Sequence, residues 1–171
     1  MKFLQNPKYL VIAQFVLLGL LFFWPDSHVG FGIVDVLFEF CGVIFFFIGL
    51  MLVIMAIRQL FKQSLPKLEG DFKQQALQAI RVVWPEPSAD ATLVVNGIFR
   101  FMRHPIYAGL LWIGYGIGLS GGPFPHILFS IALHVVLHQK SILEERYLSA
   151  KFPAYEHYAT TAGRFWPKVE D

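Results

Sequence analysis

Arg103, His104, Pro105 and Tyr107 stand in the order Arg-His-Pro-x-Tyr at the start of one apolar segment, and Glu144-Glu145 stand just past the end of the next. If the two segments form an antiparallel membrane hairpin, the chain reverses and both motifs reach the same membrane face. They would then build a polar, charge-bearing pocket at the edge of lipid. Around a helix entry, Arg103 and Tyr107 are four apart and share a face, as do Arg100 and His104 if the helix begins early. Pro105 suits a first helical turn, and the N–H groups exposed there favour an anion. Adjacent carboxylates point about 100° apart on a helix. One of Glu144 and Glu145 can therefore face the bundle while its neighbour pairs with Arg or Lys. An inward carboxylate could hold a sulfonium, an ammonium or a pair of ribose hydroxyls. The plainer reading makes the arginines a snorkelling flank and lets the glutamates balance Lys140 and Arg146. The residue types alone leave both readings open.

Two further pairs have one-turn spacing. His134 and His138 could place two metal ligands on one helix face, but two are too few for a membrane metal oxygenase. Interhelical hydrogen bonding is the favoured reading, and no metal site is expected. Asp35 and Glu39 are expected at the outer interface of their span, although a proton path is the alternative. Gly114-Tyr115-Gly116-Ile117-Gly118 resembles a nucleotide fingerprint only superficially, because a membrane span supplies neither the preceding strand nor the following helix N-terminus.

Composition constrains the helices around these residues. The 171 residues are 56% hydrophobic, include 18 Phe and are only 15% charged, too little charge to cover a soluble domain of this length. An all-α integral membrane bundle is expected, as one compact domain over 1–171. Its single cysteine, Cys41, excludes a disulfide framework and a thiolate metal site. The stretches from Tyr9 to Ile57 and from His104 to Gln139 contain no Lys or Arg. That pattern predicts an even number of crossings with both termini cytoplasmic. It also assigns the basic residues to topology and anionic lipid, with no nucleic acid as partner.

Four spans fit. The first covers Tyr9–Trp24 and lacks a small-residue cleavage site, so it is expected to be retained. The second runs from Ile33 to Ile57, long enough to cross with tilt. The third begins at Pro105 and fades at Ser120–Pro123, with Gly114 and Gly118 spaced for close helix approach. The fourth runs from Phe124 to Gln139 and continues as cytoplasmic helix through Tyr147. Residues 1–57 thus form two N-terminal spans, 58–104 a cytoplasmic connection and 105–171 the hairpin and C-terminal segment. Within the connection, Phe72, Ala76, Ala79/Ile80 and Val83 recur at helical spacing, which suggests a short amphipathic helix on the membrane or against the bundle base. Tyr155, Tyr158 and Trp166 could be interfacial anchors.

The stretch from Leu93 to Gly109, with Asn96-Gly97 and Arg103-His104-Pro105-Ile106-Tyr107, resembles the signature of membrane isoprenylcysteine carboxyl methyltransferases and their phospholipid-methyltransferase-like relatives. Lys140, Glu144-Glu145, Phe152-Pro153, Tyr155, Tyr158 and Arg164-Phe165-Trp166-Pro167 match the same family's C-terminal pattern in order, and Pro85-Glu86-Pro87 resembles a segment of its bacterial members. The likeness covers the second half of the chain; Leu68–Val83 looks longer than the usual connection.

The resemblance implies transfer of a methyl group from S-adenosylmethionine to a lipophilic acceptor, in an inner membrane with the site facing the cytoplasm. By match, Arg103, His104, Pro105 and Tyr107 would line the cofactor site. Glu144 and Glu145 would contact the cofactor or position substrate, and Arg164 would hold an anionic substrate group. An amine acceptor would need a base, for which Glu144 or Glu145 is the candidate. A carboxylate acceptor is already ionised. Carboxylate, amine and thiol acceptors all stay open, as does the oligomeric state. The enzymatic rival is an NADPH-dependent reductase of the sterol-reductase type, which usually has Asn where this chain has Ile106. A non-catalytic membrane scaffold is the other alternative.

Overall fold

The computed structural model describes residues 6–26, 32–63, 92–121 and 124–168. Among these residues, five α-helices and one 3-10 turn follow in order: α1 Pro7–Phe23, α2 Ile33–Gln63, the turn Gly97–Arg100, α3 Pro105–Ser120, α4 Pro125–Lys151 and α5 Tyr155–Thr161. No strand forms among the described residues. The chain is an all-helical membrane bundle, in which α2 and α4 are long and apolar enough to cross a bilayer and α1 and α3 are shorter apolar helices.

Local chemistry sets the helix ends. Asn6 caps α1 by accepting the Lys8 N–H at 3.0 Å, with Pro7 in the first turn. At the other end Pro25 keeps Trp24 extended. The second helix continues to Gln63, beyond the Ile57 expected from hydropathy. Its 31 residues make roughly 46 Å, well over the ~30 Å of hydrocarbon. The fourth helix likewise reaches Lys151 instead of stopping at Tyr147. The proposed amphipathic helix from Phe72 to Val83, and Pro85-Glu86-Pro87, lie outside the described residues.

The third helix lies between α2 and α4, and α1 packs chiefly on α4. The buried residues of α2 are Gly42, Gly49 and Ala56, seven apart on one stripe. They meet Gly116 and Gly109 of α3 in antiparallel register. A Cβ added at Gly49 would lie 2.5 Å from the Gly109 carbonyl oxygen, and one at Gly116 would lie 2.7 Å from that of Gly42. Backbones this close gain dispersion contacts that lipid cannot supply. Gly114 and Gly118, the pair singled out by spacing, face α4 instead, toward Leu133 and Ser130. Much of the remaining α2 surface is apolar and exposed, including Phe40, Phe47, Met51 and Met55. That face suits a hydrocarbon solvent. Asp35 and Glu39 lie in the first turns of α2, where the Ser120 hydroxyl donates to the Glu39 carbonyl. They are therefore far from the helix ends that carry the charged motifs.

Candidate functional site

Pro105 fixes the start of α3 and disfavours helical backbone at the residue before it. His104 accordingly adopts φ −124°, ψ 62° and is the N-cap, so no early helix joins Arg100 to it. Arg100 belongs to the separate 3-10 turn and is exposed. The break lets the strip before α3 pair with the C-terminal tail. Arg103 N–H donates to the Gly163 carbonyl at 2.7 Å, His104 N–H to that of Arg164 at 3.0 Å, and Gly163 N–H to that of Phe101 at 3.2 Å. These bonds bring Arg164 beside the end of α4.

The chain reversal between α3 and α4 does bring the two motifs together. His104 is buried between the carboxylates, with Nδ1 3.5 Å from Oε2 of Glu144 and Nε2 3.1 Å from Oε1 of Glu145. Tyr107 donates its hydroxyl to Glu144 Oε2 at 2.8 Å. Its ring lies parallel to that of His104, centroids 5.3 Å apart. Glu145 is encircled. Arg103 approaches Oε1 through Nε at 3.1 Å and Nη2 at 3.0 Å, and Arg164 donates Nε to Oε1 at 3.1 Å and Nη2 to Oε2 at 2.8 Å. Arg103 also donates Nη1 to the carbonyls of Ala159, at 2.8 Å, and Ala162. Its fork therefore ties the last carbonyls of α5 to Glu145, a geometry a lysine could not reproduce.

The electrostatics follow. Burial pulls the His104 pKa down, but hydrogen bonds and charge from Glu144 and Glu145 outweigh it and leave the value raised above 6.5. The imidazole holds its proton more tightly than in water because both nitrogens face carboxylates. Burial also pushes the Tyr155 hydroxyl well above its ordinary value, so it remains a donor. Tyr155 and Tyr158 are not interfacial anchors: both are buried against Leu93, Leu148 and Phe152. Tyr158 donates to the Phe99 carbonyl at 2.6 Å, whereas the Tyr155 hydroxyl has no hydrogen-bond partner among the described residues.

Arg103, His104, Pro105, Tyr107, Glu144, Glu145 and Arg164 thus share one end of the bundle. The carboxylates differ in occupancy: Glu145 is saturated by two guanidiniums and an imidazole, while Glu144 is more open, its side chain 28% exposed against 16%. His134 makes the expected interhelical bond, Nδ1 to the Tyr115 hydroxyl at 2.8 Å. No group of three or more metal-ligating side chains occurs among the described residues.

Sequence reasoning missed Gln14 and the burial of Lys140. Lys140, 0% exposed, donates Nζ to Gln14 Oε1 at 2.7 Å and sits 5.0 Å from the Tyr107 ring centroid. The available signal was the lone amide in the first apolar run, since a polar side chain inside a span calls for a partner. Phe165 was also overlooked as more than part of a tail motif. Its buried ring makes edge contacts with His104, His134 and His138 at 6.0–6.2 Å.

The phospholipid methyltransferase family matches this chain over residues 37–154. The protein-S-isoprenylcysteine O-methyltransferase of Schizosaccharomyces pombe is 34% identical over 79 residues, which cover 45% of this chain and 34% of that relative's length.

Proposed function

The chain belongs to the phospholipid methyltransferase family, and from that premise we propose that it transfers a methyl group from S-adenosylmethionine to a lipophilic acceptor at the cytoplasmic membrane face. The observation that carries this reading is the meeting of Tyr107, His104, Glu144 and Glu145 across 37 to 41 residues of chain. The residues suit the cofactor. Glu144 retains acceptor capacity for cationic or hydroxyl groups beyond its bond from Tyr107, and Tyr155 offers a buried hydroxyl with no partner among the described residues, in the field of both carboxylates. When bound, S-adenosylmethionine supplies an electrophilic methyl on a sulfonium.

The protein's own part is chiefly to hold partners in line. Glu144 would contact the cofactor, with Tyr107 and His104 fixing its orientation. Glu145, spent on Arg103, Arg164 and His104, serves as the knot that holds tail, α3 and α4 together. Pro105 sets the turn that presents His104. Arg164 keeps a side chain 30% exposed and is the candidate contact for an anionic group on the acceptor. Spans free of Lys and Arg, with basic flanks, support the cytoplasmic placement and both termini inside. An inner bacterial membrane fits the same pattern, with the acceptor entering from lipid. Residues 1–57 would then be the supporting spans and 105–171 the cofactor hairpin with its tail.

The test is equilibrium binding of radiolabelled S-adenosylmethionine and of NADPH to the protein in nanodiscs. Saturable binding of S-adenosylmethionine alone is expected. Binding of NADPH alone would favour a reductase, and binding of neither a scaffold.

A further inference from the structure

Gln14 is the only amide in α1 and is buried there, on a helix that carries none of the residues gathered in the pocket. It also precedes the stretch over which the family matches this chain. Its Oε1 accepts a hydrogen bond from Lys140 Nζ at 2.7 Å, across 126 residues. Lys140 is fully buried and stands one helical turn before Glu144 on α4, so the two share a face. Its ammonium lies over the Tyr107 ring, 5.0 Å from the centroid. That ring is parallel to the His104 imidazole and gives its hydroxyl to Glu144. A line of direct contacts therefore runs from α1, through a lysine of α4, to the α3 side chain that orients Glu144.

Holding the bundle together does not require this line. A buried ammonium is costly to desolvate, and apolar side chains of similar volume would pack there as well or better. What they would not supply is a fixed cation against a π face. An ammonium kept from water attracts an aromatic ring more strongly than one in solvent does. Lysine is a point charge on a flexible four-carbon stem, so its place depends on the acceptor that holds it. Gln14 is that acceptor. By charge alone, moreover, Lys140 works against a cationic cofactor. Its burial beside the pocket calls for an offsetting gain, and the fixed orientation of Tyr107 and Glu144 provides one.

We propose that Gln14 and Lys140 are positioning residues for cofactor binding, which makes α1 a working part of the site. Gln14 fixes the ammonium, the ammonium fixes the Tyr107 ring, and Tyr107 presents Glu144. Neither residue touches the cofactor. The proposal rests on the S-adenosylmethionine reading and adds to it a helix that holds none of the motif residues.

The experiment uses the full chain in nanodiscs, labelled with fluorotyrosine or with isotope-labelled glutamine. The Tyr107 resonance is identified by its loss in Tyr107→Phe, and that of the Gln14 amide by its loss in Gln14→Glu. Binding of radiolabelled S-adenosylmethionine, the Tyr107 resonance without cofactor, and thermal unfolding are measured for the wild type, Gln14→Leu/Lys140→Met and Gln14→Glu. The double variant should unfold near the wild-type midpoint, yet its Tyr107 resonance should shift or broaden and its affinity fall roughly tenfold. Gln14→Glu keeps an acceptor oxygen for the ammonium and should retain the Tyr107 resonance and most of the affinity. In the wild type, saturation with S-adenosylmethionine should move the Gln14 amide resonance, because coupling between two places in a protein is reciprocal. That measurement holds even where a variant fails to fold. Affinity in the double variant equal to or tighter than wild type is the mark of a bystander charge and would overturn the proposal. An unmoved Gln14 amide would overturn it as well. Absence of S-adenosylmethionine binding by the wild type would instead overturn the methyltransferase reading, and this proposal with it.

Discussion

Nε2 of His104 lies 3.1 Å from Oε1 of Glu145, a contact between residues 41 apart that joins the entry of α3 to the end of α4. With Nδ1 turned to Glu144, the ring is poised as a cation between two anions. The raised pKa of His104 then has a definite consequence for stability. A group that binds its proton more tightly when folded adds stability that is complete below its unfolded value near 6.5 and is lost as pH rises through the higher folded value. Thermal unfolding in nanodiscs should therefore show stability declining above pH 6.5, and His104→Gln should flatten that decline. Equal slopes in the two proteins would remove the charged imidazole from the account.

The two glutamates should separate on substitution. Glu144→Gln keeps the shape and the Tyr107 bond but removes a charge, so S-adenosylmethionine binding should weaken roughly tenfold, about 1.4 kcal/mol, with the fold intact. Glu145→Gln leaves two guanidiniums without their carboxylate and should cost about 2–3 kcal/mol of stability. Isothermal titration and urea unfolding in mild detergent distinguish the two. A larger stability loss from Glu144→Gln than from Glu145→Gln would reverse these roles.

Lys140 depends on Gln14 for its hydrogen bond. Gln14→Leu strands a buried ammonium and should destabilise by about 1–3 kcal/mol. Replacing both, Gln14→Leu with Lys140→Met, removes donor and acceptor together and should recover most of that loss. A double-mutant cycle of unfolding free energies makes the comparison. Strict additivity would show that the two side chains act independently.

Gly49 and Gly109 approach so closely that a methyl group added to either would lie 2.5 or 2.7 Å from the other's carbonyl oxygen. Gly49→Ala should force the helices apart and cost about 1–3 kcal/mol. Gly19, with open space around it, serves as the control, since Gly19→Ala adds a methyl that meets nothing within 4 Å. Matching midpoints for the two variants would contradict the packing.

Much of the fold was legible because it rests on local chemistry. Long apolar runs become helices in lipid whatever they pack against, since the backbone must satisfy its own hydrogen bonds there. Pro7, Pro105 and Pro125 mark helix starts through their fixed φ and missing N–H. The hairpin reversal then requires Arg103–Tyr107 and Glu144–Glu145 to share one end. Helix ends were less legible: α2 and α4 run past their apolar segments because helix continues into polar sequence that hydropathy does not count.

Span length, charge placement and turn residues act locally, so the amino-acid order alone makes this a helical membrane protein with its charged motifs gathered at one end. How those motifs divide the work is set by the folded packing of the helices. It alone spends Arg103 on the carbonyls of α5, saturates Glu145 while leaving Glu144 more open, turns Gly109 and Gly116 toward α2, and joins Lys140 to Gln14 across 126 residues. Those choices depend on helix rotation and crossing, where a shift of one residue turns a side chain by about 100° and changes its partner. No spacing along the chain encodes that rotation, since close packing between distant segments sets it.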